Sequence, residues 1–219
     1  MVGFAWRGLK GIWTNLSIFT MIFFMARQKE FDRDEALRTA IHVFQRQGFG
    51  ATTTDDLRHA IGIGRQSLYD TFKGKEEIYL EALQIYASDR FAMFLEESRK
   101  SKSPLEGIER ILLKIPSEDK KQRALSCLGV SSVCEFGESN KEVSRINKSA
   151  ASALLTLLAT LIAEGQKKGE IKSSLQASRV AQYLLTLISG LRINARGGTT
   201  PELMIQIIEV AVSGLKSGC

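Results

Sequence analysis

The chain has 219 residues, 44% hydrophobic and 25% charged, a length and balance that can bury a core and that exclude both a disulfide-stapled miniprotein and a disordered chain. Its 3 prolines, set between long Leu-, Ala- and Ile-rich stretches, argue against an all-β sandwich and for an all-α fold. The net charge of +6 suits a nucleic-acid partner, yet residues 25–86 carry 9 basic against 10 acidic side chains, so a DNA-binding reading must rest on particular residues.

Residues 1–24 are apolar, with Arg7 and Lys10 followed by no charge until Arg27. The run is shorter than the roughly 20 apolar residues of a spanning helix and is interrupted by Thr14, Asn15, Ser17 and Thr20. It also lacks the small-residue cleavage site of a secretory signal. The expectation is an N-terminal extension that is not part of the fold, which begins near Met25, and no stable membrane association.

A helix is predicted from about Arg33 to Gln47, with Asp32 as N-cap and Glu35 placed to reach back to it. Ala36, Leu37, Ala40, Ile41, Val43 and Phe44 give it one apolar face, and Gly48 ends it. Thr53 and Asp56 repeat the capping pattern before a short second helix with Leu57, Ala60 and Ile61. After the Gly62-Ile63-Gly64 turn, a third segment from Arg65 to Thr71 turns Leu68 and Phe72 inward and leaves Arg65, Gln66, Ser67 and Tyr69 outward. Two short helices about a glycine turn make a helix-turn-helix, whose second helix fits the major groove. Arg65 can pair with guanine and Gln66 with adenine, while Ser67, Tyr69 and Lys75 suit phosphate oxygens. Thr53 and Thr54 open the second helix, where orphan N–H groups favour a phosphate. Arg65 and Gln66 can equally be solvated positions, and Tyr69 can pack its ring.

From Arg33 through Tyr86 the chain resembles the N-terminal domain of the TetR (tetracycline-repressor-like) family of bacterial transcriptional regulators. The matching residues are Ala40 and Phe44 with Gly48-Phe49, Thr52-Thr53-Thr54 leading into Asp56-Leu57, Ile61-Gly62-Ile63-Gly64, Ser67-Leu68-Tyr69-Asp70-Thr71-Phe72, and Lys73-Gly74-Lys75-Glu76-Glu77. The resemblance implies a DNA-binding domain over residues 27–87, contacting double-stranded operator DNA through Thr54, Arg65, Gln66, Ser67, Tyr69 and Lys75. It also implies a ligand-binding and dimerisation domain over residues 88–219, and a cytoplasmic repressor released from its operator by a small-molecule effector.

Behind the reader, long helices are predicted from Lys75 to about Lys100, Pro104 to Ile115, Lys121 to Phe136, Asn140 to Lys168, Gln176 to Arg196 and Pro201 to Lys216, nine helices in all with the first three. Phe91, Phe94, Cys127, Leu128, Val133 and Phe136 are candidates to line an effector pocket. By the family's pattern the last two helices form a four-helix bundle in a homodimer. Leu184, Leu187, Ile188, Leu191, Ile207 and Ile208 are its candidate interface, or else belong to the chain's own core.

Three cysteines, Cys127, Cys134 and Cys219, stand at no metal-ligand spacing, so neither a metal site nor a disulfide framework is suggested, and a reducing compartment fits. Some TetR-like regulators sense electrophiles or oxidants through a cysteine in this region, which leaves a cysteine-based sensor of the same fold as one alternative, beside a small buried core residue, and a membrane-associated helical protein, suggested by residues 1–24, as another. No phosphate-binding glycine loop is present, and His42 and His59 both fall in the reader. The expectation is therefore no catalytic residue, no enzyme and no cofactor.

Overall fold

The computed structural model describes residues 32–218. The N-terminal extension, the start near Met25 and Cys219 lie outside the described residues. Asp32 caps the first helix, α1 (Arg33–Ala51), by accepting the N–H groups of Asp34 at 2.9 Å and Glu35 at 3.3 Å, donors that a helix start leaves orphaned. The chain divides after Ala36 into two compact units. The described part of the first is this capped turn.

In the second unit, α1 buries Leu37, Ala40, Ile41 and Phe44 at helical spacing and then breaks at Gly48, whose φ of 78° and ψ of 175° lie where a side chain is strained. The break frees backbone groups for tertiary bonds. Phe49 and Gly50 N–H donate to the Glu135 carboxylate at 3.2 and 2.9 Å, and the Gln45 carbonyl accepts the Ser126 N–H at 3.1 Å and hydroxyl at 2.5 Å.

The helices α2 (Thr54–Ile61), α3 (Arg65–Thr71) and α4 (Lys75–Arg99) follow. Thr53 and Asp56 form a complete capping box on α2, and Gly62, left-handed at φ 80°, closes it by donating to the Arg58 carbonyl. Then come α5 (Pro104–Leu113), α6 (Lys120–Ala124), α7 (Leu128–Phe136), α8 (Lys141–Lys167), α9 (Ala177–Arg196) and α10 (Pro201–Leu215), ten helices among the described residues and no strand. Side chains of Ser103, Asp119, Asn140 and Thr200 cap α5, α6, α8 and α10.

The single helix expected from Lys121 to Phe136 is two. Leu125 to Cys127 run extended, held by Ser126 bonded in both directions to Gln45, whose side-chain amide returns to the Ser126 carbonyl at 3.1 Å. Cys127 therefore precedes α7 instead of sharing a helix with Cys134.

The α8 helix is long and apolar enough to cross a membrane by length and composition, but its Leu154, Leu158 and Ile162 are buried in the core, and it packs against α4, α5, α7 and α9. Ile108, Ile111 and Leu112 of α5, Leu184, Ile188 and Leu191 of α9, and Met204, Ile208 and Val212 of α10 complete that core, which holds α4 rigidly between the reader and the rest.

Candidate functional site

In α3 the pattern of anchors and free residues follows from its seven-residue length. Leu68 and Phe72 are buried, so they fix the helix while Arg65, Gln66 and Tyr69 stay exposed and Ser67 half-exposed. Tyr69 keeps 47% of its surface in solvent. The Gln66 side chain donates to Asp70 at 2.8 Å, a one-turn bond that orients its amide and leaves its carbonyl open.

At the start of α2, Thr53 is occupied by the cap: its hydroxyl donates to the Asp56 carboxylate at 2.7 Å and accepts the Asp56 N–H at 3.1 Å. These bonds, the Thr53 hydroxyl foremost, hold the Asp56 carboxyl below its ordinary range. Thr54, next in line, is half-exposed.

Lys75, expected to contact a phosphate, is engaged within the protein by two of its three donors. Its ammonium donates to the carbonyls of Phe49 at 3.0 Å and Thr52 at 2.8 Å and lies 4.1 Å from the centre of the Phe49 ring. It ties the broken end of α1 to the start of α4, so its first task is to hold the reader together. Phe49 in turn packs edge-on against Tyr79 with ring centres 4.9 Å apart.

Behind the reader lies a cavity of about 330 Å³ lined from α4, α7, α8 and α9. Of the six residues expected there, Phe91, Phe94, Cys127 and Val133 line it, and Cys134 joins them. Leu128 and Phe136 do not. Leu128 is wholly buried, and Phe136 stacks into the aromatic cluster, 5.0 Å from Phe49 and 5.4 Å from Tyr79. Sequence reading missed Tyr86, Arg90, Asn147, Leu185, Ser189 and Arg192, which also face it. Burial pushes the Tyr86 phenol well above its ordinary value, and Cys127 beside it acts in the same direction. A second cavity, of about 320 Å³, shares the wall of Tyr86, Arg90, Cys127 and Arg192 and reaches Gln45 and Ser126.

Both ends of α7 are bonded to α1, through Ser126 just before it and Glu135 within it, while its Val130, Val133 and Cys134 border the cavity. A change in cavity contents is thus mechanically one step from the reader.

Of the six expected interface residues, Leu184, Ile188, Leu191 and Ile208 are buried in the chain's own core, and Leu187 and Ile207 pack partly against it. The free apolar surface of these helices is a different set: Tyr183 at 49% and Ile193 at 58% exposure on α9, and Leu203 at 50% and Val210 at 73% on α10. Both helices are apolar on two faces, and hydrophobicity alone does not say which face turns inward.

Residues 36–82 match the family described as "Bacterial regulatory proteins, tetR family". The chain is 28% identical over 187 residues to the HTH-type transcriptional repressor ComR of Escherichia coli (strain K12), covering 83% of this chain and 87% of that protein. It is 30% identical over 162 residues to the uncharacterized HTH-type transcriptional regulator YezE of Bacillus subtilis (strain 168), covering 73% of this chain and 84% of that protein. Among solved structures, a cysteine mutant of the TetR family transcriptional regulator CifR, complexed with 26-bp double-strand operator DNA, shares the fold at a TM-score of 0.74 and 23% identity, covering 86% of this chain and 99% of that one. With the helix-turn-helix in place and similarity running far beyond it into α9, the chain belongs to the TetR family of bacterial regulatory proteins.

Proposed function

We propose that this protein is a homodimeric, cytoplasmic transcriptional repressor that binds double-stranded operator DNA, catalyses no reaction, and releases the DNA when a small-molecule effector enters the cavity bordered by α7. The observation that carries the reading is the face of α3, where Arg65, Gln66 and Tyr69 are exposed while Leu68 and Phe72 anchor them. In this reading Arg65 and Gln66 read base edges, and Thr54, Ser67 and Tyr69 hold phosphates. Thr53 and Lys75 act through the cap and the turn they hold. A relative named as a repressor and a structural neighbour held with operator DNA support the same conclusion.

Release follows from differential binding to two states. An effector that displaces α7 pulls on Gln45, Phe49 and Gly50 together, and so changes the angle at which α1 presents α3. In a dimer this alters the separation of two reading helices, which must match half-sites about 34 to 36 Å apart.

The base-reading assignment is tested by selecting binding sites from random DNA. Arg65→Ala and Gln66→Ala each shift the preferred base at one position per half-site, at a cost of about 1–3 kcal/mol there. Tyr69→Phe weakens binding to all sequences alike. An unchanged preference profile for both Arg65→Ala and Gln66→Ala contradicts the assignment.

A further inference from the structure

The cavity bordered by α7 is apolar over most of its wall, with Phe91, Val130, Leu154 and Leu185 facing it, yet Arg90 and Arg192 line it and, among the described residues, no acidic one does. Glu118 meets both guanidinium groups from the neighbouring cavity. It takes two bonds from Arg192, at 2.6 and 2.9 Å, and one from Arg90 at 3.0 Å. One carboxylate against two guanidinium groups leaves a single net positive charge at the cavity wall. The surplus is on Arg90: Arg192 is bound at both terminal nitrogens, while Arg90 Nη2 is buried with no partner. Arg90 is also held in place, its guanidinium carbon 5.2 Å from the centre of the Phe94 ring. A buried charged donor without an acceptor is costly, and the residue that carries this one lines an apolar chamber.

We infer that the effector is a small monocarboxylic acid with an aliphatic or aromatic body, its carboxylate on Arg90 and its body against Phe91, Val130 and Leu154. The inference rests on the reading of this cavity as the effector site. One free donor and one uncompensated charge match a monoanion and not a phosphate dianion, and the planar guanidinium fork fits carboxylate geometry. A volume of about 330 Å³ lies at the small end of ligand sites, which run from about 300 to 1,000 Å³, and suits a small body.

The test is calorimetric titration of the full-length protein with three probes of equal length: octanoate, octanamide and octylamine. Octanoate is expected to bind about tenfold or more tightly than octanamide, the discrimination of a site built to hydrogen-bond one group, and octylamine is expected to bind least. Arg90→Met, checked for folding by circular dichroism, is expected to keep octanamide binding and to lose the preference for the acid. The acid-to-amide ratio of the unsubstituted protein stands without any variant. Equal binding of acid and amide overturns the charge assignment and leaves the cavity reading in place. Absence of binding by all three probes overturns the cavity reading, and the proposal with it.

Discussion

Val210→Asp is expected to leave a folded monomer whose operator affinity is about a hundredfold or more below that of the unsubstituted protein. Val210 is 73% exposed at the middle of α10, and Leu203 on the same helix and Tyr183 and Ile193 on α9 extend the apolar patch. Both helices pack against one another, and exposed apolar side chains on adjacent helices are of a kind that a monomer rarely gathers in water. On a two-fold axis the same patch faces itself, so a carboxylate at this position is buried against a like charge. Loss of pairing turns the second half-site contact from an intramolecular step into an independent weak one, which is where the large loss arises. Light scattering after size exclusion reads the oligomer, and fluorescence anisotropy with operator DNA reads the affinity. A dimer that persists in Val210→Asp contradicts the assignment of this face.

Glu118→Ala is expected to lower stability by about 3–5 kcal/mol, the usual cost of removing one partner from a buried ion pair. Arg192 is 9% exposed in its side chain and Glu118 13%, and the other acid of the cavity that Glu118 lines, Asp89, is paired with Arg38 at 3.1 Å. Glu118 lies on the segment between α5 and α6, so its three bonds also tie that segment to α4 and α9. Urea denaturation measures the effect as a lower midpoint at unchanged slope. A loss below about 1 kcal/mol, the level of a solvated surface pair, contradicts the role given to Glu118 as the counter-ion of both arginines.

What could be read from the sequence was local. Asp32 and Thr53 cap helices through groups two or three residues away, so their roles are written within a single turn of chain. The α3 face was legible for the same reason, since the spacing of Leu68 and Phe72 assigns Arg65, Gln66 and Tyr69 to the other side. What could not be read depends on partners distant in the chain. The break before α7 is made by Ser126 meeting Gln45, 81 positions away, and no turn residue announces it. Lys75 carries the signature of a phosphate ligand, and only the approach of the Phe49 and Thr52 carbonyls shows that its ammonium also ties two backbone segments together. Of the two readings left open for Leu184 and Ile208, interface or own core, the sequence could not choose, because they are as hydrophobic as Val210 and the packing of α5 and α8 decides which of them is buried. Arg90 and Arg192 meet through Glu118, a third residue from another segment, and their cluster has no motif.

The central claim is that two copies of the chain grip one specific DNA duplex. The most direct test is an anisotropy titration of a duplex obtained by random-sequence selection against a scrambled duplex of equal length, repeated across a range of salt concentrations. The account predicts two chains per duplex, a preference of about 10³-fold or more for the selected sequence, and affinity that falls steeply as salt rises. Equal affinity for the two duplexes at every salt concentration would contradict it.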